Sequence, residues 1–173
     1  VVALNDRDTG TKFCAARFGN MIGSRGSVVD LFREQIKKTN EITVTDPTMT
    51  RFFMTVGDAV EHIINSIKLC EGGEIFVPTM KATSIGTLVE SIIGDRDTKI
   101  KIIGARPGEK HSEHIVSKEE SMRYGAIGNT MAIIPSFNHM LSDFIFVVPP
   151  GEITSLNVEQ MDKKQVTELL GKM

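Results

Sequence analysis

Apolar and polar positions follow two rhythms along the chain, and together they divide it into short strands and amphipathic helices. Residues 12–18 are mostly apolar and predict a buried strand. A loop with Gly19, Gly23 and Gly26 follows. Ser27 and Asp30 have capping-box spacing and open a helix with Val28, Leu31, Phe32 and Ile36 on one face. Lys37 and Lys38 lie near its C-terminal end, where the dipole favours cations. Residues 42–45 alternate as a strand does, and Asp46-Pro47 signals a turn. Thr55 and Asp58 repeat the capping spacing before a second helix, whose stripe is Ala59, Val60, Ile63, Ile64 and Ile67. Gly72-Gly73 ends it. A strand at 74–77 closes on Pro78. A third helix then buries Ile85, Leu88, Val89, Ile92 and Ile93 and stops at Gly94. Residues 99–103 predict another strand.

The second half is less regular. Residues 131–134 and 144–148 predict strands, and Pro149-Pro150-Gly151 marks a break. Asp162 is the expected cap of a last helix carrying Val166, Leu169 and Leu170. Alternation of strands and helices predicts an α/β class. Beyond about Ser112 the pattern predicts a loosely built appendage.

Composition narrows the reading. The chain has 173 residues, 40% of them hydrophobic and 24% charged, with a formal net charge of −2. That predicts one globular domain or two small lobes, and argues against disorder and a basic nucleic-acid face. No apolar run approaches the roughly 20 residues of a membrane helix. The start lacks signal-peptide regions and an initiator Met, so a truncated or processed beginning is expected. Cys14 and Cys70 do not make a disulfide framework, and reduced thiols in a cytoplasmic protein are expected.

Three clusters carry candidate chemistry, each with a plainer alternative. Arg17 to Ser27 gathers two arginines, Asn20, glycines and a helix start. It suits an anion, or is a tight strand-to-helix connection. Arg51 follows Thr45-Asp46-Pro47. Its planar fork suits phosphate, or it pairs on the surface with Asp46 or Asp58. Arg106-Pro107-Gly108-Glu109 is a turn that sets Arg106 beside Glu109, for a phosphate and a ribose hydroxyl or as a local ion pair. His111 and His114 lack metal-site spacing and companions, so no metal is expected. His62 and His139 are expected to be surface or packing residues, the methionines core fillers, and Lys118-Glu119-Glu120 a solvated face.

In this order and spacing the clusters resemble the extended short-chain dehydrogenase/reductase family, and within it the UDP-N-acetylglucosamine 4,6-dehydratases. The matching stretches are Arg17-Phe18-Gly19-Asn20 with Gly23-Ser24-Arg25-Gly26-Ser27-Val28, Thr43-Val44-Thr45-Asp46-Pro47 with Met49-Thr50-Arg51-Phe52-Phe53-Met54, Gly72 to Pro78, and Arg106 to Lys110. The run from Ile102 to Ser121 is similar to the 5-inverting branch. The resemblance implies the C-terminal part of an extended dehydrogenase Rossmann fold, its last sheet strands plus the smaller substrate-binding lobe. It places Asn20 on the pyrophosphate or sugar, Arg25 on the substrate side, Thr43, Val44 and Thr45 around uracil, Arg51 and Arg106 on the diphosphate, and Glu109 on the ribose. Phe18 would meet the nicotinamide ring.

Family members also carry a glycine-rich cofactor loop and a catalytic Tyr-x-x-x-Lys pair, neither of which occurs here; Tyr124 is the sole tyrosine. The implied reaction moves a hydride from sugar C4 to NAD(P), removes water across C5 and C6, and returns the hydride to C6. The resemblance therefore implies a chain that begins after the tyrosine–lysine helix, binds the UDP part of a UDP-sugar, and does not hold NAD(P) by itself. The alternatives are a non-catalytic nucleotide-sugar-binding module and a subunit that completes a separate Rossmann chain. The complete enzyme is expected to be a homo-oligomer.

Overall fold

The structure is a computed structural model that describes residues 10–135, 144–147 and 151–173. In chain order the first elements are β1 (Ala15–Ala16), β2 (Asn20–Ile22), α1 (Val28–Thr39), β3 (Glu41–Val44), β4 (Thr50–Thr55) and α2 (Val56–Leu69). Next come β5 (Ile75–Val77), β6 (Ala82–Ser84), α3 (Ile85–Ile93), β7 (Lys99–Ile102), β8 (His114–Val116) and α4 (Lys118–Ser121). The last are β9 (Tyr124–Ile127), β10 (Thr130–Ile133), β11 (Phe144–Phe146), β12 (Ile153–Thr154) and α5 (Lys163–Leu170). The α/β class expected from the alternation is what forms. Val148, Pro149, Pro150 and His139 lie outside the described residues.

The chain divides into two compact units. The first takes the described parts of 1–18, 57–79 and 114–154; the second takes 19–56, 80–113 and 155–173. In the first unit a five-stranded sheet has the order β1-β5-β10-β9-β11. β1 runs parallel to β5, and the other pairings are antiparallel. Phe76, Ile127 and Ala132 form its core, with Cys14, Leu69, Cys70 and Phe144 against them. Both cysteines are free thiols. Burial, then a hydrogen bond with Cys14, pushes the Cys70 thiol up to about 12. What the sequence pattern presented as an appendage is an ordered hairpin, β9–β10, that turns at Gly128 with φ 57°. β11 presses so close that a Cβ on Gly125 would lie 2.4 Å from the Ile145 carbonyl oxygen.

One reading is sharpened in this unit and one expectation is corrected. The α2 stripe read from sequence lies mostly at the surface: Val60 is 49%, Ile63 41%, Ile64 46% and Ile67 68% exposed. The buried face is instead Ala59, His62 and Ser66, of which the two small residues permit close backbone approach. Periodicity shows that a helix has an apolar face, but not what covers it. Glu120 is likewise no solvated side chain. It completes a capping box with Ser117 and takes both guanidinium arms of Arg17, one at 2.8 Å.

In the second unit β4 lies between β2, parallel to it, and β6, antiparallel, while β3 pairs parallel with β7. β2 falls where a glycine loop was expected. β4 puts Arg51 on a strand that the sequence pattern did not predict, and its run of Phe52, Phe53 and Met54 is buried. α1 is capped by Ser27, which accepts from Asp30 N, and α5 by a full Asp162–Gln165 box. Val29, Phe32, Ile42, Val44, Phe53, Leu88, Val89, Ile92, Val166 and Leu170 belong to one core. Ser155 is fully buried: its hydroxyl accepts from Glu113 N at 2.9 Å and donates to Thr50 O at 2.9 Å.

Candidate functional site

The second unit contains a cavity of about 410 Å³, within the range of small-molecule sites. Of the residues expected to bind substrate, Asn20, Thr43, Val44, Thr45, Arg51, Arg106 and Glu109 line it; Arg25 is not in the lining. The rest of the wall is mainly apolar and includes Val28, Leu31, Phe32, Ile85 and Ile103, together with Gln35. The apolar face of α1 therefore splits. Phe32 faces both core and cavity, while Leu31, 51% exposed, faces the cavity.

Each polar group is held by a local device. The Arg106–Glu109 turn closes through Glu109 N to Arg106 O at 3.0 Å, and Gly108 supplies the positive φ of 83°. The Glu109 carboxylate accepts from Arg106 N at 3.1 Å and from the Thr45 hydroxyl at 3.3 Å. The Arg106 guanidinium has no hydrogen bond or ion pair among the described residues and is exposed, so its five donors face solvent.

Arg51 differs. Its donors reach Thr50 O at 2.8 Å, His111 O at 3.2 Å and Lys110 O at 2.9 Å, and Glu109 and Glu113 lie 4.0 and 3.7 Å away. It ties the 106–113 loop to β4 from a partly buried position. Thr48 and Asp46 brace the turn before β4, and the hydroxyl and backbone N–H of Thr48 lower the Asp46 carboxyl below its usual range. Sequence offered Asp46 or Asp58 as the surface partner of Arg51; the carboxylates found beside it are those of Glu109 and Glu113.

Asn20 donates to Phe52 O at 3.0 Å and to the Glu113 carboxylate at 3.1 Å; the same carboxylate accepts from Phe52 N at 3.2 Å. Glu113 is thus a positioning residue that sequence patterns did not single out. Gly19 precedes Asn20 where a Cβ would lie 2.8 Å from Met80 Sδ and 3.0 Å from Phe52 Cβ, so a side chain here would require its neighbours to shift. Gln35 was also missed. Its signal was present: a polar residue inside an apolar helical face, one turn after Leu31.

Phe18 belongs to the first unit, where its ring meets His62 edge-on at 5.7 Å. Burial lowers the His62 pKa below that of a free imidazole, in keeping with a packing role. Phe18 is the single NAD(P) contact assigned to this chain, and the sequence has no G-x-G-x-x-G spacing. Among the described residues no group of three or more His, Cys, Asp or Glu side chains is placed to hold a metal, and no helix is long and apolar enough to cross a membrane.

The polysaccharide biosynthesis protein family matches residues 1–135. The chain belongs to that family. A relative described as UDP-glucose 4-epimerase, from Rickettsia bellii, is 37% identical over 96% of this chain and 51% of its own length. The capsular polysaccharide biosynthesis protein CapD of Staphylococcus aureus is 41% identical over 69% of this chain and 21% of CapD. The solved structure of Pen from Bacillus thuringiensis matches with a TM-score of 0.84 and 33% identity, over 94% of this chain and 50% of that one. A Thermotoga maritima UDP-glucose 4-epimerase solved with UDP-glucose shares the fold, with a TM-score of 0.50 and 20% identity over 58% of this chain and 36% of its own. The chain spans about half the length of the Rickettsia relatives it matches.

Proposed function

We propose that this chain is the substrate-recognition part of a UDP-N-acetylglucosamine-class 4,6-dehydratase and that its cavity holds the UDP moiety. One observation carries the reading: residues 20, 43–45, 51, 106 and 109, scattered over the sequence, line a single cavity of about 410 Å³. The chemistry suits a nucleoside diphosphate. Apolar walls from α1, Ile85 and Ile103 cover a base, and the Glu109 carboxylate accepts from ribose hydroxyls. The free Arg106 guanidinium takes diphosphate oxygens through charge-assisted bonds, while Arg51 adds charge and holds the loop that presents Arg106. Asn20 reaches the pyrophosphate or sugar, and Arg25 contributes charge near the start of α1. NAD(P), and the acid–base pair that works with it, belong to residues outside this chain.

Calorimetry with UDP tests the reading. Binding at micromolar strength is expected, weakened about tenfold or more in Arg106→Ala, since a lost charge-assisted bond costs about 1.5–3 kcal/mol. Absence of heat with UDP overturns it.

A second reading, that the chain completes a separate Rossmann half, is favoured by two features of the first unit. The α2 stripe leaves four large aliphatic side chains at the surface. β1 is a sheet-edge strand with a parallel neighbour, and parallel strands are normally covered on both faces. The full assembly would then be a cytoplasmic homo-oligomer acting on a UDP-sugar.

A further inference from the structure

Gln35 projects from α1 into the cavity wall and makes a reciprocal pair with Thr43 on β3. Its Oε1 accepts from Thr43 N at 3.0 Å, and its Nε2 donates to Thr43 Oγ1 at 2.7 Å. A backbone N–H only donates, so Oε1 must be the end that faces it. This fixes which way the amide points, where an unpaired glutamine would be free to turn over. One Nε2 hydrogen serves Thr43 Oγ1, and the other remains.

The β3 edge continues the pattern. Lys99 N donates to Asn40 O at 3.1 Å and Ile103 N to Val44 O at 2.8 Å, so the even-numbered residues of this stretch bond toward β7. By the alternation of a parallel ladder, the Thr43 carbonyl and the Thr45 N–H lie on the opposite edge. That edge therefore offers a donor from Gln35, an acceptor from Thr43 and a donor from Thr45. Leu31 and Ile103, both about half exposed, also line this cavity and give a planar ring two apolar neighbours.

We propose that Gln35 is the base-reading residue of the cavity: locked by Thr43, its amide donates to a carbonyl oxygen of a pyrimidine imide and so selects uracil over cytosine. An imide presents acceptor, donor, acceptor, the complement of this edge. Cytosine has an amino group in place of one carbonyl and an unprotonated ring nitrogen in place of the N–H, so it opposes donor to donor and acceptor to acceptor. This rests on the UDP reading, and adds the residue that would enforce it.

The test is calorimetric titration of the whole chain with UDP and with CDP, in the wild type, Gln35→Met, Thr43→Val and Arg106→Ala. Wild type is expected to prefer UDP by roughly tenfold or more, the scale of one hydrogen bond and one mismatch. Gln35→Met should weaken UDP by about tenfold and CDP hardly at all, bringing the ratio toward one. Thr43→Val, which removes the acceptor that holds Nε2, should narrow the ratio in the same direction. Arg106→Ala should weaken both nucleotides alike and leave the ratio intact. If UDP binds wild type but the ratio is unmoved by both Gln35→Met and Thr43→Val, Gln35 does not read the base, and the UDP reading survives. If wild type takes up neither nucleotide, both fall. Circular dichroism of each variant separates a lost contact from a lost fold.

Discussion

Arg17 and Arg106 carry the same guanidinium, but the surroundings assign them different work. Arg17 donates to both oxygens of Glu120 and to the Ile115 carbonyl, which leaves it little capacity for a ligand. Arg106 has no such partner among the described residues. Sequence placed Arg17 with the glycine loop because the two are adjacent, yet its partner lies 103 positions away. No local pattern announces that pair. The Arg17 guanidinium, followed by the Ser117 backbone N–H, holds the Glu120 carboxyl at about 2, against an ordinary 4.5, even though burial opposes this. A depressed carboxylate stabilises the fold above its unfolded pKa, and that contribution fades as pH falls through the folded value. Acid titration followed by circular dichroism should therefore show wild type losing stability between pH 4.5 and about 2. Glu120→Gln should start less stable at pH 7 and lose less across that window. An unchanged acid profile in Glu120→Gln would remove the pair from the account of stability.

At the scale of elements, the helices were the most legible part. α1 and α5 begin at the expected caps Ser27 and Asp162, and α3 begins at Ser84, which was not singled out. Short strands were harder. β2 hides among glycines, and the Thr50–Thr55 run of β4 leads straight into α2, so one apolar stretch changes period without a break. α2 shows the limit most clearly, since its stripe was visible and its burial was not. Ile64→Asp is accordingly expected to change the stability of this chain by no more than about 0.5 kcal/mol, as for surface substitutions away from a packed site. Chemical denaturation measures it, and a loss of several kcal/mol would mean that the stripe is buried in solution. α5 should behave in the opposite way. Leu170→Ala in the second-unit core should cost about 2–4 kcal/mol, through lost transfer energy and a residual cavity.

The whole molecule is two units drawn from interleaved segments, about half the length of its Rickettsia relatives. The motifs indicated which half this resembles, because the arginine and threonine stretches keep their spacing. They did not indicate which unit each residue would join: Phe18 and Asn20 are two positions apart and fall in different units. A division of labour at this scale makes a direct prediction. Alone, the chain should show no NAD(P)-dependent turnover of UDP-N-acetylglucosamine. Mixed with the separately produced N-terminal half of a family member, turnover should appear, and Ile64→Asp should abolish it while leaving UDP binding intact. Dehydration by the chain alone would overturn the division, and equal rescue by Ile64→Asp would remove α2 from the docking surface.

The buried Ser155 hydroxyl links Thr50 to the Glu113 backbone, and α5 supplies Val166 and Leu170 to the same core. The second unit thus draws on segments far apart in the chain. During synthesis its core stays unfinished until α5 has left the ribosome, after Thr43 and Arg106 have emerged. A product cut short before α5 would carry the cavity-lining Thr43, Arg51 and Arg106 and still lack Val166 and Leu170 from the core of their unit. The arrangement therefore ties closure of the core beside the cavity to the synthesis of α5.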